Sequence, residues 1–179
     1  GAMTYCAKGA VTFTMGEAVS GTIAGNAAFP IRVLGYNTNR GDAPTGANCP
    51  TFATGANGFI QTGAHWWVEN IIFTGSAAIV LSLSSTSRAI NCKVINNSTT
   101  ASRKAFGSLG HIIKGEAIAY RGYGTGGTVY HIGCWYHASR WGSYFGTTAH
   151  ILFDCILSSN VLGASSGDSA TTAATFKDC

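Results

Sequence analysis

Seven acidic residues stand in the sequence: Glu17, Asp42, Glu69, Glu116, Asp154, Asp168 and Asp178. Acid–base cleavage of a glycosidic bond needs two carboxylates facing each other across that bond. Only Glu69, Glu116 and Asp154 fall in the regular part of the chain. The repeat described below sets Glu69 and Asp154 about four coils apart, roughly 19 Å at the spacing of neighbouring strands. Glu116 lies about two coils from each, so no close pair follows. There is no Asp cluster of the kind that holds Ca²⁺. There is also no Cys or His spacing of the kind that holds zinc. No metal and no cofactor are expected.

Binding chemistry is better represented than bond-breaking chemistry. Lys93 and Lys114 are 21 residues apart, which predicts that they stack outward on one face. Like charges one coil apart repel unless solvent or a bound anion spreads them. The densest group of rings and cations is Trp135, Tyr136, His137, Arg140, Trp141, Tyr144 and Phe145, with Tyr120, Arg121 and Tyr123 one coil earlier. Tyr136 has an inward phase and Trp135 an outward one, beside Lys114. An exposed indole covers the apolar face of a pyranose, and arginine offers forked donors to hydroxyls or carboxylates. The candidate ligand-binding set is Lys93, Lys114, Glu116, Arg121, Trp135, Arg140 and Trp141. The competing reading is solvated lysines and rings packed over a loop. His111, His131 and His150 recur at intervals of 20 and 19, a loose row on one flank. Hydrogen-bonded or exposed histidines account for it more simply than a metal does.

These residues are positioned by a repeat. Steps of 21 connect Ile71, Cys92, Ile113, Cys134 and Cys155, and 24 residues then lead to Cys179. Most residues two places before and after each anchor alternate with period two, as in a strand. Short strands at a 20–25-residue period mark a solenoid, whose loops grow or shrink without disturbing the stacked strands. Asn70, Asn91 and Asp154 each precede an anchor. Inward cysteines would pack as free thiols, small hydrophobes, while Cys6 and Cys49 could pair or remain free. Residues 35–50 form a turn-rich loop of a length usually reserved for function or for a cover.

Composition agrees. The chain has 179 residues, 10% charged, with 24 glycines and a net charge of +4. It is too apolar for disorder, has no apolar run long enough for a membrane helix, and gathers no basic stripe for nucleic acid. Strand formers dominate, which predicts an all-β chain. Gly1-Ala2-Met3 reads as a tag-cleavage scar, and residues 4–179 as one domain. The sequence stops as a new coil begins, so we expect a fragment without a C-terminal cap, covered by missing coils or another chain. Three motifs are discounted. The glycine-rich 122–127 segment precedes a strand, Arg40-Gly41-Asp42 reads as a turn, and the sequons at Asn96 and Asn97 have no context.

Two stretches carry a resemblance: the segment from Pro30 to Asp42, and Trp67-Val68-Glu69-Asn70-Ile71-Ile72-Phe73-Thr74-Gly75. With Ala89-Ile90-Asn91-Cys92-Lys93-Val94-Ile95-Asn96-Asn97, they resemble the coils of right-handed parallel β-helix proteins of the pectate-lyase-like superfamily. That superfamily includes polysaccharide lyases, glycoside hydrolases and phage tail spikes. The resemblance implies a single-stranded solenoid of about 21 residues per coil and a carbohydrate substrate class, without fixing a reaction. The expected function is a non-catalytic module that binds a polysaccharide or glycan, on a secreted protein or a virion appendage. The alternatives are a lyase or hydrolase of that superfamily, and a structural stalk. Neither nucleic acid nor membrane is an expected partner.

Overall fold

The computed structural model describes residues 3–17, 19–100, 103–123, 128–145, 149–159, 162–166 and 174–178. Within them the protein is all-β, with its strands in parallel sheets. The first sheet has eight strands and contains Ile31–Tyr36, Trp66–Glu69, Arg88–Ile90, His111–Ile113, Val129–Ile132 and His150–Phe153. The second contains Ile72–Gly75, Lys93–Asn96 and Ile156–Ser159. The third contains Phe59–Gln61, Ile79–Ser82 and Lys104–Phe106. The long strands Glu116–Tyr123 and Trp135–Phe145 run from the second sheet into the third. Successive rounds of chain therefore add one strand to each sheet, an arrangement compatible with a parallel β-helix.

The rounds join the first sheet to the second at a repeated left-handed residue. Asn70, Asn91, Lys114, Gly133, Asp154 and Asp178 have φ of 58, 50, 51, 61, 51 and 54°. Asn and Asp tolerate this region better than most side chains, and glycine reaches it freely. The first two corners also bond to each other, Asn91 Nδ2 donating to Asn70 Oδ1 at 2.8 Å.

These corners correct the register expected from the sequence. The residues that follow them are Ile71, Cys92, Gly115, Cys134 and Cys155, so Gly115 rather than Ile113 occupies the third position. The pairing Arg88↔His111 spans 23 residues and His111↔Tyr130 spans 19. A round lengthened by two is followed by one shortened by two, and a step of 21 misses only the middle. A Cβ on Gly115 would lie 2.4 Å from Ile112 Cγ2, so a larger anchor does not fit there. Ile112, not Ile113, points inward and is fully buried.

Alternation builds the core. Val68, Ala89, Ile112, His131 and Leu152 enter it from the first sheet, and Phe73, Val94, Ala117 and Tyr136 from the second; each is wholly buried. Complete burial of an aliphatic or Phe side chain contributes about 1.5–3 kcal/mol. Cys92, Cys134 and Cys155 lie buried behind the corners as thiols that donate to backbone carbonyls. Burial pushes the Cys92 thiol up to about 12, so it stays protonated. Cys6 and Cys49 are free. Cys179 and most of the 122–127 segment lie outside the described residues.

Candidate functional site

In the second sheet, Ile72, Lys93, Glu116, Trp135 and Ile156 share one register position on successive strands. Their inward neighbours Phe73, Val94, Ala117 and Tyr136 are buried, so this row stands on the outer surface. Two residues along, Thr74, Ile95, Ile118, His137 and Ser158 form a parallel outer row. The second sheet thus brings Lys93, Glu116 and Trp135 together.

Their order differs from the expected one. Lys93 does not stack on Lys114: its neighbour is Glu116, whose Oε1 accepts from Lys93 Nζ at 3.0 Å. Lys114 occupies the corner instead, because the lengthened round shifts it by two places. For the same reason Trp135 lies beside Glu116 rather than Lys114. The two side chains of the Lys93–Glu116 pair are about one third exposed, so it is worth no more than about 1 kcal/mol. Its larger effect is to hold the carboxylate in place.

Trp135 is 46% exposed. Its ring centroid lies 3.8 Å from that of His137, with the planes tilted by 41°. His137 Nε2 is 3.5 Å from Glu116 Oε1. Burial, only partly offset by Glu116 and reinforced by Lys93, holds His137 below the ordinary histidine range. At neutral pH the imidazole is therefore uncharged, and this contact is not an ion pair. Ile156, next to Trp135 in register, is 60% exposed, and Ile118, next to His137 in register, is 37% exposed, so apolar side chains stand on this face with the polar cluster.

Beside this row, at the corner between the sheets, is a cavity of about 150 Å³ lined in part by Gly46, Cys49, Asn91, Lys93, Lys114 and Glu116. Its outer wall is the 35–50 loop, which ends in a short 3₁₀ turn, Gly46–Asn48. Asp42 braces that loop by accepting from the backbone N–H groups of Asn37, Thr38 and Asn39, and these bonds lower its pKa. Arg40-Gly41-Asp42 is accordingly a turn. Asn96 is buried and donates to two carbonyls, which leaves no room for a glycan on its amide.

The remaining candidates are separated from this cluster. Arg121 and Trp141 are paired in register along the long strands, and Arg140 precedes Trp141. The side chains of all three lie outside what the structure describes. The histidines do not form one row. His111 faces outward, whereas His131 and His150 are fully buried, with His131 Nε2 3.2 Å from His150 Nδ1 and His131 Nδ1 2.5 Å from the Tyr136 hydroxyl. Burial holds His131 well below the usual range and His150 at about 4. Among the described residues, no group of three or more His, Cys, Asp or Glu could hold a metal.

Sequence reasoning missed a second outer row, on the first sheet: Arg32, Trp67, Arg88, His111 and Tyr130. The intervals between successive members are unequal, so no fixed step finds them. No protein-family model, curated protein or solved structure matches this chain.

Proposed function

We propose that the protein is a non-catalytic glycan-binding module whose ligand lies across the outer face of the second sheet. The observation that carries this reading is the half-exposed Trp135 indole, fixed by His137 and in register with the Lys93–Glu116 pair. An indole held in this way presents an apolar surface to the C–H face of a pyranose. Lys93, Lys114 and Glu116, at the corner cavity, supply donors and an acceptor for hydroxyl or carboxyl groups. The strand spacing puts Trp135 and Lys93 about 10 Å apart, so a ligand touching both spans more than one sugar unit. The fold reading that accompanies this function is a right-handed parallel β-helix of the pectate-lyase-like kind. The setting that suits it is a secreted protein or a virion surface.

Glycan-array screening followed by titration tests the reading. Trp135→Ala should remove binding and leave the melting temperature within a few degrees of the parent. Binding that is indifferent to Trp135→Ala would end it. Glu116 is held by Lys93 rather than by a facing carboxylate, which disfavours hydrolysis. Release of reducing ends or of unsaturated sugar from the bound polymer would replace this reading with an enzymatic one.

A further inference from the structure

The first round of the chain leaves all three sheets open at one end. Met3–Lys8 is the outermost strand of the first sheet, Thr12–Thr14 of the second and Val19–Gly21 of the third. Among the described residues each pairs on one side only, with Ile31–Tyr36, Thr51–Gly55 and Phe59–Gln61 respectively. The side chains at this end have the phase of the core. Met3 and Tyr5 are in register with the buried Ile31 and Val33. Phe13 continues an inward column of rings: it meets Phe52 edge to face at 5.4 Å, and Phe52 meets Phe73 in the same way at 5.5 Å. Phe73 is wholly buried, whereas Phe13 is 39%, Met3 48% and Tyr5 51% exposed. Positions that are interior one or two rounds later are therefore surface here.

Val11, Ile23 and Phe29, in the same round, are exposed as well. At roughly 150–250 Å² for a large side chain, the exposed parts of these six amount to about 500 Å² in one copy. That lies at the upper end of what a single chain exposes. Two such patches together give about 1,000 Å², enough for a specific interface. The open strand edges add a second requirement, because each carries a row of unpaired N–H and C=O groups. A single peptide strand pairs one edge and leaves two open. A lipid surface covers the apolar side chains but leaves the backbone groups unsatisfied. The same end of a second copy meets both needs at once, and a two-fold axis between the copies makes the facing strands antiparallel. Charge does not oppose the contact, since the only charged side chains in residues 1–30 are Lys8 and Glu17, of opposite sign.

We propose that this end is a self-association surface, on which two copies of the chain meet end to end across a two-fold axis and bury Met3, Tyr5 and Phe13 between them. The proposal does not rest on the glycan-binding reading. The test is sedimentation equilibrium of the full chain over a range of concentrations, under reducing conditions so that the exposed Cys6 forms no cross-link. A reversible monomer–dimer equilibrium is expected. Tyr5→Lys and Tyr5→Glu should each weaken the dimer about tenfold or more. A mixture of the two should recover much of it, since opposite charges then replace like ones in the contact. Phe13→Asp should act in the same direction, and Ile132→Lys, an equally drastic change at an exposed position on the flank, should change nothing. Thermal melts establish that each variant is folded, and if Phe13→Asp is not, the Tyr5 variants decide. Four results would overturn the proposal: a monomer at every concentration, a mass that climbs past the dimer as in head-to-tail stacking, a dimer weakened by Ile132→Lys but not by the Tyr5 variants, or a monomer that floats with phosphatidylcholine vesicles. None of these touches the Trp135 site.

Discussion

The two outer faces share one backbone pattern and present opposite chemistry. On the first sheet, the Arg32 and Arg88 guanidiniums on the neighbouring strands stack on Trp67, so its ring is packed between them and only partly exposed. On the second sheet, Glu116 and Ile156 are the neighbours of Trp135 in register, and its indole remains half exposed. Parallel strands impose the same spacing of about 4.8 Å on every column. The residue one round away therefore decides whether a ring becomes a packing element or a contact surface. A planar cation above and below closes the ring, while a carboxylate and an aliphatic side chain leave it open.

That difference holds only if the core keeps both sheets in register, and the largest expected effect lies there. Ile112 is wholly buried, between Ala89 and His131 in its column. Ile112→Asp leaves a charge buried without a partner and should abolish cooperative folding, a loss of more than about 4 kcal/mol. Ile113→Asp, on the outer side of the same strand, should be far milder. Circular dichroism melts of both variants check the register directly. Equal damage from the two would mean that the alternation is misassigned.

Acid should weaken the fold from inside. His131 and His150 have folded-state pKa values below the ordinary 6.5, with His150 at about 4. Between those values the unfolded chain binds more protons than the folded one, so stability rises with pH across the window. The contribution is complete above about pH 6.5 and is lost as pH falls toward 4, for a total of a few kcal/mol. Urea melts across that range should show a falling midpoint, and His150→Phe should flatten the fall. A midpoint independent of pH would contradict the buried pair.

Smaller effects separate the two faces. Trp67→Ala should cost about 1–3 kcal/mol of stability, since it removes the filling between two guanidiniums. Trp135→Ala should cost less than about 1 kcal/mol and act on binding instead. Paired thermal melts and glycan titrations measure both, and the contrast fails if the two variants behave alike. The least effect is expected of Glu116→Gln, which releases Lys93 and changes stability by no more than about 1 kcal/mol. It should strengthen binding of anionic glycans over neutral ones.

Much of this was legible in the sequence, and the failures have physical causes. The alternation around Cys92 and Cys134 exposed the strands, because most inward positions there carry apolar or small side chains. The polar residues before the anchors, Asn70, Asn91 and Asp154, proved to be left-handed corners, a conformation their residue types foreshadow. Lys114 at the same corner carries no such signal, and neither does the compensating gain and loss of two residues around it, so Ile113 was placed inward and Lys114 beside Lys93. The Arg32–Trp67–Arg88 stack was hidden because a contact across rounds depends on loop lengths that vary from round to round. His131 and His150 are expected from sequence as hydrogen-bonded or exposed members of a loose row; only the fold shows that both are buried, with the Tyr136 hydroxyl against His131 and His131 against His150.

The most direct test of the glycan-binding reading is a backbone amide NMR titration of the folded protein with an oligosaccharide selected on the array. The expected result is saturable shifts centred on Lys93, Glu116, Trp135 and Ile156, with the third-sheet strand Phe59–Gln61 unaffected. Shifts confined to the third sheet, or no saturable shift with any glycan, would contradict it.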